Sequence, residues 1–395
     1  MSVAASLERT CCPAEGFTGA PDARVPSCRI QFWDWRQNSV ASSVRAEVPD
    51  SGSTETLSED ACPMSKSNNY APESEADPDA PRLRPRFTEI PTFMRAPIAN
   101  LAETDIALIG VPCDLGVTNR AGARHGPREI RNQSSLMRSF NMSTRINPYD
   151  LAKIADVGDV PIDNLFNLDE AIKEIEAFYT SVGAQGVIPL SAGGDHSITY
   201  PILKGLKKDE PFALIHVDAH TDTWAEFYGS KFHHGAPFRL ATDEGIIDPT
   251  KTIQIGIRGG QNNLDGLNYS YDSGMRVVEM DEFTDLGVEA VIAEARKVVG
   301  DAPTYITFDV DGIDPVFTPG TGTPEVGGLT TVEALRLLRG LRGLNLIGGD
   351  VVEVAPPFDQ TGNTALVGAS MMFEILCLLA ESFSLRKGST PAKRV

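Results

Sequence analysis

The feature that most constrains the fold is a regular alternation, from Asp105 onward, of short apolar runs with stretches of helical periodicity. The apolar runs are rich in Ile and Val and alternate too little with polar residues for a sheet that is wetted on one face. Strand, helix and strand at this spacing predict parallel βαβ units with helices on both faces of one sheet. The eight predicted strands are Ile106–Val111, Lys153–Val157, Gly186–Ser191, Phe212–Val217, Thr252–Ile257, Met275–Met280, Thr304–Val310 and Leu346–Val354. The predicted helices are Asn167–Gly183, Ser197–Lys207, Val288–Val299, Thr330–Arg342 and Thr364–Ser382.

Short local signals mark the ends of some of these helices. Thr330 or Thr331 followed by Glu333 is typical of a helix start, whereas Gly183 and Gly300 are typical of helix ends. The whole pattern predicts one α/β domain, residues 86–390, in which ligands bind at the carboxyl ends of the strands.

Residues 1–85 differ in composition from the rest of the chain. They contain nine of the 27 prolines and twelve serines, and apolar periodicity is absent outside the segment around Trp33 and Trp35. A segment that buries little apolar surface does not offset its ordering entropy. We therefore predict a disordered N-terminal extension, with the two tryptophans as a docking element and residues 1–63 dispensable for folding.

Charge and hydropathy limit the partners of the protein. With 35 basic and 54 acidic side chains the formal net charge is −19, which argues against nucleic acid or an anionic membrane, because phosphate binding needs clustered Lys and Arg. No apolar run reaches the roughly 18 to 20 residues that span a bilayer, and the N-terminus lacks a basic region followed by an apolar one. We expect a cytoplasmic protein with its six cysteines reduced.

Acidic and histidine residues are concentrated where three of the predicted strands end. Asp218, His220 and Asp222 occupy alternate positions, so in extended backbone their side chains project to one face. Asp309 and Asp311 are spaced in the same way after another strand. With His196, which follows a third strand, they gather four carboxylates and two imidazoles at the mouth of one sheet.

Such a cluster predicts a metal site. Like charges a few ångströms apart raise each other's pKa unless cations neutralise them. Six ligands are too many for one catalytic ion and suit two ions that share bridging carboxylates, a recognised hydrolytic arrangement. A set of nitrogen and oxygen ligands without thiolate favours Mn, Ni, Co or Fe over structural zinc. His125 and His216 lie apart from this pattern and are interpreted as structural.

Three segments resemble, in order, the signatures of the ureohydrolases, the arginase and agmatinase family. They are GGDHS at 193–197, DAHTD at 218–222 and DVDGIDP at 309–315, and the resemblance extends from about Pro85 to Glu381. It implies an α/β fold, a three-layer α/β/α sandwich around an eight-stranded parallel sheet, and two divalent metal ions, Mn or Ni. It implies that His196, Asp218, Asp222 and Asp309 hold one ion, and that Asp218, His220, Asp309 and Asp311 hold the other.

The resemblance also implies the reaction, hydrolysis of a small guanidino compound to urea and an amine. In the family's mechanism Asp222 carries a proton to the departing amine, and His234 shuttles protons or contacts the substrate. Glu353, at the end of the last predicted strand, takes the guanidinium as a bidentate fork. A salt-bridge role for Glu353 is the alternative.

The sequence leaves the substrate open. Arginase-type chains bind an α-amino acid through a loop rich in Asn, Ser and Thr, whereas the loop at 223–232 is mainly WAEFYGSKF, so arginine is disfavoured. Arg239 and Arg258 are candidate partners for a substrate carboxylate, which favours a guanidinobutyrase-like enzyme over an agmatinase, although Arg239 is equally consistent with a structural helix residue. Alternatively, aromatic side chains narrow the pocket for guanidine, an alkylguanidine or a biguanide. The other candidate pocket residues are His233, Trp224, Phe227, Tyr228 and Phe232.

Two other classes of protein are compatible with parts of the pattern. A deacetylase of similar fold would use one zinc ion and would lack the ligand in GGDHS, and a non-catalytic partner subunit would have lost metal ligands. This chain retains all six candidates, so neither class is favoured. The resemblance finally implies a homotrimer or homohexamer that acts on a small guanidino substrate.

Overall fold

The computed structural model describes residues 85–388, and all eight predicted strands are present in that range. They pair in parallel throughout and form one sheet in the order β2-β1-β3-β8-β7-β4-β5-β6. The predicted extension, with Trp33 and Trp35, lies outside the described residues. The strands are β1 (Ile106–Val111), β2 (Ile154–Asp159), β3 (Ile188–Gly193), β4 (Phe212–Val217), β5 (Ile247–Ile257), β6 (Arg276–Glu279), β7 (Thr304–Asp309) and β8 (Leu346–Val352).

Helices cover both faces of the sheet, which confirms the three-layer α/β/α sandwich. One apolar core joins the sheet to α1, α6, α7, α8 and α9, and a second core joins its other face to α2, α3, α4 and α5. The helices are α1 (Gly126–Ser134), α2 (Leu168–Ala184), α3 (Thr199–Leu206), α4 (Pro237–Asp243), α5 (Asp265–Ser273), α6 (Met280–Leu286), α7 (Val288–Val299), α8 (Thr331–Gly340) and α9 (Asn363–Arg386).

The structure confirms some of the predicted element ends and corrects others. Thr330 and Glu333 form a complete capping box at the start of α8, and Gly300 ends α7 with a φ of 55°. Gly183, however, lies inside α2 and does not end it. The four helices that the sequence did not reveal, α1, α4, α5 and α6, are seven to nine residues long. Helices this short show too few turns for a clear apolar period.

The last helix, α9, is the one described helix that is long and apolar enough to cross a membrane by length and composition. Its most apolar window is 78% buried inside the domain, where it packs in the same core as α8 and β8. This burial accounts for the apolar sequence of α9 as that of a core helix.

The strand order determines where a site can form. Strands β3 and β4 follow one another along the chain, yet β8 and β7 lie between them in the sheet. The connections that follow neighbouring strands therefore leave the sheet in opposite directions. They open a crevice at the carboxyl edge of the sheet, which is the usual ligand position in open parallel sheets. The segments that follow β3, β8, β7 and β4 all reach this crevice.

Candidate metal centre and active site

The structure brings the six candidate metal ligands together at the carboxyl edge of the sheet. His196 Nδ1 lies 3.0 Å from an oxygen of Asp218, 3.0 Å from one of Asp222 and 3.3 Å from one of Asp309. His220 Nδ1 lies 3.4 Å from the other oxygen of Asp218 and 3.2 Å from Asp311 Oδ2. The ligands thus form two adjoining groups that share Asp218.

The spacing within these groups fits divalent ions. His196 Nδ1 is buried and has no hydrogen-bond partner, although three carboxylate oxygens surround it. Two ligand atoms about 2.1 Å from one ion and at right angles to each other are about 3.0 Å apart. The observed separations around His196 match this value, and the nitrogen and oxygen donors suit a divalent transition metal.

The electrostatics of the cluster also favour a cation. Burial raises the pKa of Asp309 well above its usual range, and the charges of Asp311 and Asp218 raise it further. Burial and the charge of Asp218 raise the pKa of Asp311 to about 6. For His196, burial lowers the pKa, but the nearby carboxylates of Asp218, Asp222 and Asp309 outweigh burial and raise it well above the usual value. Bound metal ions would replace these protons, since metal ligands must be deprotonated.

Two functional side chains are carried on unusual backbone. Asp222 and Glu353 have φ values of 50° and 64°, in the left-handed region that residues with a Cβ rarely adopt. Such conformations cost on the order of 1–3 kcal/mol each and cluster at active sites. The backbone of the candidate ligand Asp218 packs directly against Gly256 in β5. A residue with a Cβ does not fit there, because the Cβ would lie 2.8 Å from the carbonyl oxygen of Asp218 and the φ of Gly256 is 105°.

Glu353 and His234 form a buried pair beside the ligand cluster. Glu353 Oε1 accepts the backbone N–H of His196 at 2.9 Å and lies 3.0 Å from His234 Nδ1, while Glu353 Oε2 has no hydrogen-bond partner. Burial lowers the pKa of His234, but the hydrogen bond and charge of Glu353 prevail and raise it to about 9. His234 Nε2 lies 2.8 Å from Thr118 Oγ1 and 3.3 Å from the Thr118 amide. The Thr118 hydroxyl can accept or donate and so fits either protonation state of the imidazole, whereas the Thr118 amide can only donate and favours an unprotonated Nε2.

A cavity of about 200 Å³ opens over the cluster. Its acidic lining residues, Asp222, Asp309 and Asp311, all belong to the ligand set. Four further lining residues form what we call the neutral wall, and neither Lys nor Arg is among the described residues that line this cavity. The neutral wall consists of Trp224, Phe227, His233 and Asn262; Thr118, His220, His234, Gly235 and Thr323 complete the lining.

The two arginines considered for a substrate carboxylate do not reach this cavity. The Arg239 guanidinium lies 4.2 Å over the ring of Tyr269 and is directed to the carbonyl of Thr223. Arg258 donates hydrogen bonds to backbone carbonyls, including those of Asp311 at 2.7 Å and Glu325 at 2.6 Å. Their positions therefore do not support the carboxylate-binding role, and Arg258 instead fastens loops around the metal centre.

The other predicted pocket residues divide into two groups. His233 lines the cavity with Nε2 2.8 Å from the carbonyl of Ala225, and burial lowers its pKa. Trp224 and Phe227 also line it, whereas Tyr228 is 93% exposed and Phe232 packs towards Tyr200. Of the four aromatic residues considered, Trp224 and Phe227 are therefore the two that can narrow the pocket.

Two buried residues that the sequence analysis did not assign to the site contact its ligands. His216, interpreted there as structural, places Nε2 2.7 Å from Asp218 Oδ2. Thr307 Oγ1 lies 2.8 Å from Nε2 of His196. His216 precedes Asp218 by two residues, so the alternate spacing that indicated Asp218, His220 and Asp222 extends to it.

An eight-stranded parallel α/β sandwich with His and Asp ligands at its carboxyl edge defines a class of binuclear metal-dependent hydrolases. Comparison with known families agrees, since the Arginase family description matches residues 104–378. The chain belongs to the arginase family and is a metal-dependent hydrolase of that family.

Individual relatives extend over most of the domain. The chain is 56% identical to a guanidinopropionase of Pseudomonas aeruginosa over 300 residues, which cover 75% of this chain and 94% of the relative. It is 47% identical to a guanidinobutyrase of the same organism with the same coverage. Among solved structures, a proclavaminate amidinohydrolase of Streptomyces clavuligerus superposes with a TM-score of 0.73 at 39% identity, covering 76% of this chain and 100% of that one. These matches confirm the family and the arginase-like fold.

Proposed function

We propose that the protein hydrolyses a short ω-guanidino acid to urea and an ω-amino acid, with 3-guanidinopropionate and 4-guanidinobutyrate as the first substrates. The names of the two Pseudomonas relatives support this substrate class. One structural observation carries the proposal. Among the described residues Glu353 Oε2 has no hydrogen-bond partner, and Glu353 pairs with His234, which lines the cavity, although Glu353 is not itself a lining residue. We infer that Oε2 is an acceptor for a guanidinium N–H.

In this proposal, each side chain has a defined task. His196, Asp218, His220, Asp222, Asp309 and Asp311 would hold two divalent ions. When bound, such an ion pair lowers the pKa of water and supplies a strong nucleophile at neutral pH. Hydrolysis adds one water to the guanidino carbon, breaks its bond to the alkyl nitrogen and places a proton on that nitrogen. Asp222 and His234 are the groups that move this proton, and Glu353 orients the guanidinium.

The cavity supports a short substrate without a cationic tail. Its volume of about 200 Å³ lies below the 300–1,000 Å³ typical of pockets for drug-sized ligands. The neutral wall offers hydrogen-bond donors in Asn262 and Trp224 but no carboxylate for the ammonium group of agmatine. Asn262 is exposed and lines the cavity, and we propose that its amide donates to the carboxylate of a guanidino acid.

A substrate panel tests this preference directly. With Mn²⁺ and Ni²⁺ in parallel, kcat/KM for 3-guanidinopropionate and 4-guanidinobutyrate is expected to exceed that for agmatine, arginine and guanidine by about tenfold or more, equivalent to roughly 1.4 kcal/mol. The measurement is release of urea, or of guanylurea when dimethylbiguanide is added to the panel. Preference for agmatine would contradict the proposal, preference for guanidine would place the chain with guanidinases, and preference for dimethylbiguanide would indicate a biguanide hydrolase.

The matched variant for this panel is Asn262→Asp, which keeps the size of the side chain and adds a negative charge. Two unit charges 4 Å apart in water interact by about 1 kcal/mol, so kcat/KM for the guanidino acids should fall at least about fivefold. Agmatine should be hydrolysed no more slowly than by the unaltered protein. An equal loss of kcat/KM for the guanidino acids and for agmatine would show that Asn262 does not bind the substrate carboxylate.

The proposal extends to the metal, assembly and location of the protein. Mn²⁺ or Ni²⁺ is the proposed ion because the ligands are imidazole and carboxylate without thiolate. Family membership supports a homotrimer or homohexamer, and we retain the cytoplasm as its proposed location.

A further inference from the structure

A row of five polar side chains crosses the interior of the sheet directly beneath the metal centre. Cross-strand register places Ser191 beside Asp350, Asp350 beside Thr307, Thr307 beside His216, and His216 beside Gln254. All five side chains are fully buried. Burying polar groups costs free energy unless hydrogen bonds compensate. The hydrogen bonds of this polar row therefore show what the buried groups do.

One arm of the polar row ends on His196. Asp350 accepts the hydroxyls of Thr199 at 2.9 Å, Tyr305 at 3.0 Å and Thr307 at 2.6 Å. A threonine hydroxyl has a single hydrogen, and the hydrogen-bond network assigns it to Asp350. Thr307 Oγ1 must therefore accept from His196 Nε2, 2.8 Å away. The proton on Nε2 leaves the Nδ1 lone pair directed at the ligand cluster.

The other arm ends on Asp218. The Gln254 amide nitrogen lies 2.6 Å from the carbonyl of Thr221, to which it donates, and 3.1 Å from His216 Nδ1. His216 Nδ1 consequently accepts, so His216 Nε2 carries the proton and donates to Asp218 Oδ2 at 2.7 Å. Asp218 is the ligand that the two groups share, and this bond fixes the orientation of its carboxylate.

We propose that four members of the polar row, all except Ser191, form an orienting layer for the metal centre. Thr307, backed by Asp350, holds His196 in the tautomer that ligates through Nδ1, and His216, backed by Gln254, holds the shared carboxylate of Asp218. These side chains are positioning residues, because they act on the metal through its ligands. Substituting such partners of metal ligands typically weakens metal affinity by about 10- to 100-fold.

Thr307→Val tests the first arm. Valine nearly matches threonine in shape, cannot donate to Asp350 and cannot accept from His196. Calorimetric titration of the chelator-treated protein with Mn²⁺ is expected to show one of the two ions bound about 10- to 100-fold more weakly. Thr307→Ser, which retains the hydroxyl, should remain within about threefold of the unaltered protein, a difference of roughly 0.7 kcal/mol.

Ser191→Ala is the matched control. Ser191 belongs to the same row and is equally buried, but its hydroxyl lies 2.6 Å from the hydroxyl of Tyr179 and interacts with Tyr305, and within the described residues it makes no hydrogen bond to a candidate metal ligand. This variant is expected to lower the melting temperature of the metal-free protein without changing Mn²⁺ affinity. An equal loss of affinity in Ser191→Ala and Thr307→Val would overturn the proposal, because general weakening of the sheet would explain both.

Gln254→Met tests the second arm and decides the question if Thr307→Val does not fold. Methionine fills similar space but provides no donor to His216, so the imidazole is free to change tautomer. We expect Mn²⁺ affinity to fall about tenfold. Unchanged affinity for both ions in the folded variant would overturn the proposal.

Discussion

Replacing Asp309 with Ala is expected to lower kcat/KM at least about a thousandfold, equivalent to roughly 4 kcal/mol of transition-state stabilisation. The variant should also retain fewer than two divalent ions per chain. The reason is geometric, since the Asp309 carboxylate lies 3.3 Å from His196 Nδ1 and its charge interacts with Asp311 and Asp218. Elemental analysis of the dialysed protein and urea release are the two measurements.

Asp314→Asn is the matched control for this loss. Asp314 belongs to the same DVDGIDP segment, but its carboxylate accepts the backbone N–H groups of Val316, Gly327 and Gly328 and is no part of the ligand cluster. The asparagine oxygen can still accept hydrogen bonds, so metal content should stay at two ions. Full turnover by Asp309→Ala protein from which metal has been removed would refute the binuclear mechanism.

Glu353→Gln is expected to impair catalysis while leaving the metal in place. Glutamine preserves an oxygen for the backbone N–H of His196 but removes the charge that faces His234 and the guanidinium. Removing one partner of a desolvated charge pair costs about 2–5 kcal/mol, so kcat/KM should fall roughly 30- to 5,000-fold. Steady-state kinetics with a guanidino acid, together with metal analysis, provide the test.

The comparison variant is Glu374→Gln. Glu374 is another buried glutamate, on α9, but its carboxylate accepts from Arg339 and Asn141 away from the metal centre. This change should lower thermal stability and leave kcat/KM within about threefold of the unaltered enzyme, or roughly 0.7 kcal/mol. A Glu353→Gln enzyme that turned over at the unaltered rate would show that Glu353 only supports the local structure.

Local sequence patterns predicted most of the framework. The bounds of β1, β4 and α7 are those expected, because apolar runs with clear flanking signals depend on neighbouring residues alone. Strand β5 begins at Ile247 instead of Thr252, and a shift in its pairing with β4 accommodates the additional residues. A break in register is a property of two strands together, so the sequence of β5 alone did not reveal it.

The arginines show what local sequence patterns leave open. Both arginines lie close in sequence to site segments. In the structure, however, Arg239 stacks on Tyr269, and Arg258 donates its hydrogen bonds to backbone carbonyls. The direction of a long side chain depends on which partners surround it after packing. Their positions in the sequence therefore indicated that both arginines lie near the site, but not which groups they contact.

The sequence by itself determined the parallel α/β class and indicated the six candidate metal ligands that lie together in the structure. Alternate spacing indicated that Asp218, His220 and Asp222 converge, but β4 ends at Val217 and Asp222 has a φ of 50°, so the loop backbone after the strand, not the period of a strand, brings Asp222 to the cluster. Only the tertiary structure decided that β8 and β7 lie between β3 and β4 and that five polar residues align beneath the site. Strand order and register depend on packing between residues distant in the chain, and such pairings leave no period in the sequence.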